Sequence, residues 1–118
     1  MKCCDSGLKR RIAASQMLYD YLEINYSNGI DNFIILGDWN DDLKDKPGQH
    51  CFQNFFDDSK YYFTNLELAQ DLDQASYPKE PYYSFLDHIL VTESFINKEQ
   101  IYNVSTLPID RYMGGYEY

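Results

Sequence analysis

The chain has 118 residues, ten basic against nineteen acidic side chains for a formal charge of −9, and 44% of it is apolar. This composition excludes a disordered tail and allows at most one small domain. The acidity excludes a broad basic face for non-specific nucleic-acid binding, although a metal ion can locally reverse such repulsion.

Aromatic residues make up 17% of the chain, twelve of them Tyr, so a packed core is expected. The longest strongly apolar run, Phe33 to Leu36, is too short to cross a bilayer, and the opening Met1-Lys2-Cys3-Cys4-Asp5 lacks the apolar core of a signal peptide. No membrane segment is therefore expected, and the compartment stays unspecified. The spacing of Cys3, Cys4 and Cys51 gives neither a CxxC unit nor a zinc pattern, and all three read as small core residues, which mildly favours a reducing compartment.

Asp5 or Ser6 can cap a helix from about Leu8 to Tyr26, with Leu8, Ile12, Ser15, Leu18, Tyr19, Leu22 and Tyr26 on one stripe. Lys9, Arg10 and Arg11 read as a solvated face. Ser27-Asn28-Gly29 stops this helix, and Asn32-Phe33-Ile34-Ile35-Leu36-Gly37 is an apolar run of strand length that suits a strand buried on both faces. A helix feeding such a strand is half of a βαβ unit, whose first strand would lie before Met1.

After an acidic loop from Asp38 to Gly48, Cys51, Phe52, Phe55 and Phe56 suit a short helix, and Tyr61 to Thr64 a strand. Gln70 to Pro81 reads as a loop, Ser84 to Thr92 as the second clear strand, Glu93 to Lys98 as a short helix and Ile101 to Leu107 as a third candidate strand. The last residues, Tyr112 to Tyr118, resemble a loop cut in mid-course.

Ligands of open α/β sheets collect at the carboxyl ends of strands, and the apolar run delivers Gly37-Asp38-Trp39-Asn40-Asp41-Asp42 there. In an extended segment Asp38 and Asn40 project to one side, a carboxylate able to activate water beside an amide able to hold a phosphoryl oxygen. A turn in which both residues serve backbone amides is the equally weighted alternative. A calcium loop fails, because Leu43 and Gln49 stand where Gly and a bidentate Glu are required.

Within Phe85-Leu86-Asp87-His88-Ile89-Leu90-Val91, a carboxylate inside an apolar run demands a partner. Neighbouring His88 points to the opposite face and reads as a hydrogen-bonded structural histidine. His50, or a Lys or Arg, is the remaining candidate partner.

Gly37-Asp38-Trp39-Asn40-Asp41 followed by Ser84-Phe85-Leu86-Asp87-His88-Ile89-Leu90, with the opening Lys2-Cys3-Cys4 and the Arg10-Arg11 helix before them, resembles the endonuclease/exonuclease/phosphatase family, the DNase I-like hydrolases. The resemblance covers essentially the whole chain and only the C-terminal half of the family's domain. It implies a partial α/β sandwich for residues 1–118: one sheet with flanking helices, open where the N-terminal half is missing. It also implies phosphodiester or phosphomonoester hydrolysis with Mg²⁺, or Mn²⁺ or Ca²⁺ in its place.

By that resemblance Asp38 matches the carboxylate that orients or deprotonates the attacking water and touches a metal. Asn40 matches the amide on the phosphate, beside the metal. Asp87 matches the carboxylate that orients a catalytic His, and Trp39 is expected to pack. The family's metal-holding Glu and its closing Asp-His pair have no counterpart in these residues, and neither His50 nor His88 inherits a role.

The expectation is thus part of a metal-dependent phosphohydrolase, inactive alone, with phosphate esters of nucleic acid, sugar or lipid as substrate classes. The alternatives are a non-catalytic α/β interaction module, or half of a two-chain assembly formed by self-association or by complementation. Five aspartates between Asp31 and Asp45 fit a strand end awaiting a cation.

Overall fold

The computed structural model describes residues 5–96 and 103–114 as a small α/β fold. Helix α1 runs over Asp5–Ser27. It ends where Gly29 takes φ +86°, the Gly29 N–H donating to the Tyr26 carbonyl and the Ile30 N–H to the Asn25 carbonyl, a closure that a left-handed residue permits. Then follow β1 (Ile34–Asp38), α2 (Gln53–Phe56), β2 (Tyr61–Phe63), two 3₁₀ turns (Leu68–Gln70 and Leu72–Gln74), β3 (Tyr77–Lys79), β4 (Tyr82–Ser84), β5 (Asp87–Thr92), α3 (Glu93–Ile96) and α4 (Ile109–Tyr112).

The main sheet has the order β1-β5-β2, both pairs antiparallel, and β3 pairs with β4 as a separate hairpin. Strand β1 matches β5 from Ile34 opposite Val91 to Asp38 opposite Asp87. Leu22, Phe52, Phe55, Tyr61, Phe63 and Leu90 form the core between sheet and helices, with Leu18, Phe33, Ile35 and Trp39 packed on it. Trp39 meets Phe52, Phe55 and Phe63 at ring-centroid distances of 5.6, 5.9 and 5.5 Å, as expected of a packing residue.

Polar bonds fasten α1 to the segment around β2. Lys60 Nζ donates to both Glu23 oxygens at 2.6 Å, the Tyr61 hydroxyl to Glu23 at 2.8 Å, and the Tyr19 hydroxyl to Asp58 at 2.7 Å.

Several expectations are corrected. Strand β1 is not buried on both faces: Ile34 and Leu36 are 55% and 67% exposed, whereas Val91, opposite Ile34 on β5 and on the same face, is buried. The run Ser84 to Thr92 breaks at Phe85–Leu86, where the Phe85 N–H donates to Asp42 and the Leu86 N–H to the Ser76 hydroxyl instead of to a strand. The segment 70–81 holds the second 3₁₀ turn and β3.

The third candidate strand falls partly on residues 101–102, outside the described residues. Over 103–107 the backbone is irregular, and Thr106 is tied to Gln74 by its N–H and its hydroxyl at 3.2 and 2.5 Å. The expected helix from Glu93 is seen to Ile96, and its remainder, like Cys3, Cys4 and residues 115–118, lies outside the described residues. Among the described residues no helix is long and apolar enough to cross a membrane.

Candidate functional site

The three predicted site residues meet at one end of the sheet. The Trp39 N–H donates to the Leu86 carbonyl at 2.8 Å and the Thr92 N–H to the Phe33 carbonyl at 3.2 Å, which makes these two flanking pairs the hydrogen-bonded kind. By the antiparallel alternation, Ile34/Val91, Leu36/Ile89 and Asp38/Asp87 are the non-hydrogen-bonded pairs, whose Cα atoms approach to about 4.5 Å and whose side chains share a face. Asp38 and Asp87 therefore stand side by side at the end of the face that the helices leave open.

Asn40 is placed by a tight turn. Its N–H donates to Asp38 Oδ1 at 2.8 Å, and its backbone takes φ +53°, a left-handed conformation that Asn tolerates better than most residues. The turn alternative is the one observed: Asp38 caps it with one oxygen, and Asn40, left-handed, does not continue the extended segment that was expected to project both side chains to one side.

Asp87 is not the buried charge that its apolar surroundings suggested. It is the first residue of β5 and lies on the open face, so it is exposed, and His88 is the buried member of the pair at 1% exposure. The Ile89 N–H donates to Asn65 Oδ1 at 3.1 Å, so Asn65 Nδ2 is the donor to His88 Nδ1 at 2.8 Å. With Nδ1 an acceptor, Nε2–H donates to the Asp41 carbonyl at 2.7 Å. Burial lowers the His88 pKa, in keeping with a neutral structural imidazole. His50 is also buried, with Nδ1 accepting the Phe52 N–H at 3.1 Å.

The neighbouring aspartates do a different job from the one their crowding suggested. Buried Asp41 accepts the Cys51 N–H on Oδ2 and meets Arg11 Nη2 on Oδ1, both at 3.0 Å. Buried Asp42 accepts the Lys44 N–H on Oδ1 at 3.1 Å and the Phe85 N–H on Oδ2 at 2.9 Å, with Lys44 Nζ at 3.4 Å. Two of the five aspartates are thus clamps that lock the loop after β1 to α1 and to the entrance of β5.

Arg11 belongs to this clamp and not to a solvated face, because it lies four residues before Ser15 and seven before Leu18, on the packed side of α1. The spacing of Arg11 from Ser15 was a legible signal. Nothing in the sequence distinguishes Asp41 and Asp42 from Asp38. Cys51 is buried as expected, and burial pushes its thiol up to about 12, which makes it a packing residue and not a nucleophile.

Among the described residues no group of three or more His, Cys, Asp or Glu side chains converges as a metal cage. Two carboxylates paired on one face are donors of the kind that suits a hard cation such as Mg²⁺, which binds through one or two carboxylates and takes its other oxygens from water and phosphate. No family model, curated protein or solved structure matches the chain.

Proposed function

We propose that the chain is part of a metal-dependent phosphohydrolase, with Asp38, Asn40 and Asp87 contributing to its active site. The observation that supports this most is the Asp38/Asp87 pair. Like charges directly opposed across a ladder destabilise a sheet, and groups set against stability are a mark of functional sites. In this reading Asp38 and Asp87 would hold a divalent cation, Mg²⁺ or Mn²⁺, and such an ion would supply charge neutralisation at a phosphoryl oxygen. Asp38 Oδ2, the oxygen not engaged in the Asn40 turn, accepts a proton from water, and the Asn40 side-chain amide donates to the phosphate.

A binding experiment tests this. Free Mn²⁺, followed by its electron paramagnetic resonance signal, is expected to fall on titration with the wild-type chain and to stay constant with Asp38→Asn. Equal uptake by both chains rejects the site. Hydrolysis of a phosphodiester by the 118-residue chain alone is not expected. Mg²⁺-dependent turnover abolished in Asp38→Ala would show the site to be self-sufficient.

A second reading, a non-catalytic interaction module or half of a two-chain assembly, is favoured by the open sheet face. Ile34 and Leu36 of β1 and Tyr62 of β2 are exposed there, on either side of the buried Val91. Loss of Mn²⁺ uptake without loss of association would separate the two readings, since one rests on the carboxylates and the other on the apolar face.

A further inference from the structure

Helix α1 carries apolar residues on two opposite faces. Its core face holds Ser15 and Leu22, both buried, with Leu18 and Tyr19 packed beside them. Ala13 and Met17 stand two residues either side of Ser15, and Ile24 stands two beyond Leu22. At 3.6 residues per turn, all three therefore lie about 200° round the helix, turned away from the core. Met17, Ile24 and the adjoining Tyr21 are 73%, 64% and 61% exposed, and Ala13 is exposed as well.

Positions 13, 17, 21 and 24 make one contiguous stripe, whereas the outer face of a helix on a lone domain is polar. The stripe lies on the far side of α1 from the sheet. A layer added over Ile34 and Leu36, on the other face of the sheet, would leave it bare.

The charges of α1 indicate what covers the stripe. All of its basic side chains, Lys9, Arg10 and Arg11, are in its first half, and after Asp5 its acidic ones, Asp20 and Glu23, are in its second. This pattern repels a parallel copy of itself and complements an antiparallel one, as a self-matching two-fold contact requires. Arg11 and Glu23 are turned to Asp41 and Lys60 on the core side, whereas Lys9, Arg10 and Asp20 are exposed and flank the stripe.

We propose that two copies of this chain pair through the outer face of α1, antiparallel, about a two-fold axis level with Ser15. Ala13 of each copy then lies under Met17 of the other, a small residue against a large one. Lys9 comes level with Asp20 of the second copy on one flank, and Arg10 with Tyr21 of the second copy on the other. These are an ion pair and a cation–π contact, each made twice by the symmetry. The two Asp38/Asp87 faces point away from the contact, so neither candidate site is covered. One helix face per copy buries less than the about 1,200 Å² at which standard interfaces begin, so the pair exchanges readily with monomer.

Sedimentation equilibrium of the 118-residue chain, with a reductant present to keep its cysteines as thiols, tests this. The weight-average mass is expected to rise with concentration from one chain toward two and no further. Met17→Asp, at an exposed position where circular dichroism is expected to match the wild type, should raise the dissociation constant at least tenfold. Leu36→Asp, on the other side of the sheet, should leave it unchanged. Lys9→Glu and Asp20→Lys should each weaken the pair several-fold, and the chain carrying both, which restores opposite charges across the two-fold axis, should regain most of the lost affinity.

The mass of one chain at every concentration would overturn the proposal. So would association that Leu36→Asp abolishes or that Met17→Asp leaves intact, since another surface would then be the contact. A double charge variant that pairs no more tightly than the single ones would overturn the antiparallel arrangement.

Discussion

Asp38 and Asp87 face each other as a non-hydrogen-bonded pair across the last rung of the β1–β5 ladder. Two carboxylates so opposed repel, and in the absence of a cation the fold bears that cost. Replacing either by Asn is therefore expected to stabilise the chain in metal-free buffer by roughly 0.5 kcal/mol, with a smaller gain at high salt, where exposed charges are screened. Urea unfolding midpoints at low and high NaCl check this, and destabilisation by both substitutions at low salt would contradict it.

The clamp behind the site should be far less tolerant. Asp42→Ala leaves the Phe85 and Lys44 amides without their acceptor, at a cost of about 2–3 kcal/mol for the loss of charge-assisted bonds at a buried position. It should also loosen the entrance of β5, so amide hydrogen exchange is expected to quicken at Phe85. A stability change below ~0.5 kcal/mol would show that these bonds are replaced by water.

His88 gives a pH dependence of definite sign. Its folded pKa lies below the unfolded value of 6.5, chiefly because burial disfavours the imidazolium. Above 6.5 the stability contributed by neutral His88 is fully present. As pH falls from there through the lowered folded value, the unfolded chain binds a proton that the folded chain refuses, and stability declines by up to about 1.4 kcal/mol per pH unit. Nitrogen-15 NMR at pH 7 should find His88 protonated on Nε2 alone. Titration with a midpoint at or above the ordinary histidine value would contradict the hydrogen-bond scheme.

Cys51, its thiol pushed up to about 12 by burial, is expected to be inert. Brief alkylation by iodoacetamide at pH 8, followed by peptide mapping, should leave Cys51 unmodified in the folded chain and fully modified in urea. Rapid labelling in the native state would show that the packing around it opens readily.

The elements with strong local signals were legible in the sequence. The stripe through Leu18 and Leu22 and the stop at Gly29 mark α1, and the apolar run ending at Gly37 marks β1 to within two residues. Long-range satisfaction was not legible. The burial of His88 and the exposure of Asp87 follow from which face of β5 meets the core, and the break before β5 follows from Ser76 and Asp42 capturing two amides. Asp38, Asn40 and Asp87 were candidates on their motifs alone, and only the strand register brings the two carboxylates together. Apart from Lys44, two positions from Asp42, the clamping partners of Asp41 and Asp42 lie at least ten positions away, beyond the reach of any local pattern.

The most direct test of the carboxylate pair as a cation site is thermal unfolding with and without 10 mM MgCl₂, ionic strength held constant with NaCl, for the wild type, Asp38→Asn and Asp87→Asn. A ligand that binds only the folded state raises its stability by mass action. The expected result is an inversion: without Mg²⁺ both variants melt above the wild type, and Mg²⁺ raises the midpoint of the wild type but of neither variant. Equal shifts in all three chains, or none in the wild type, would contradict the account.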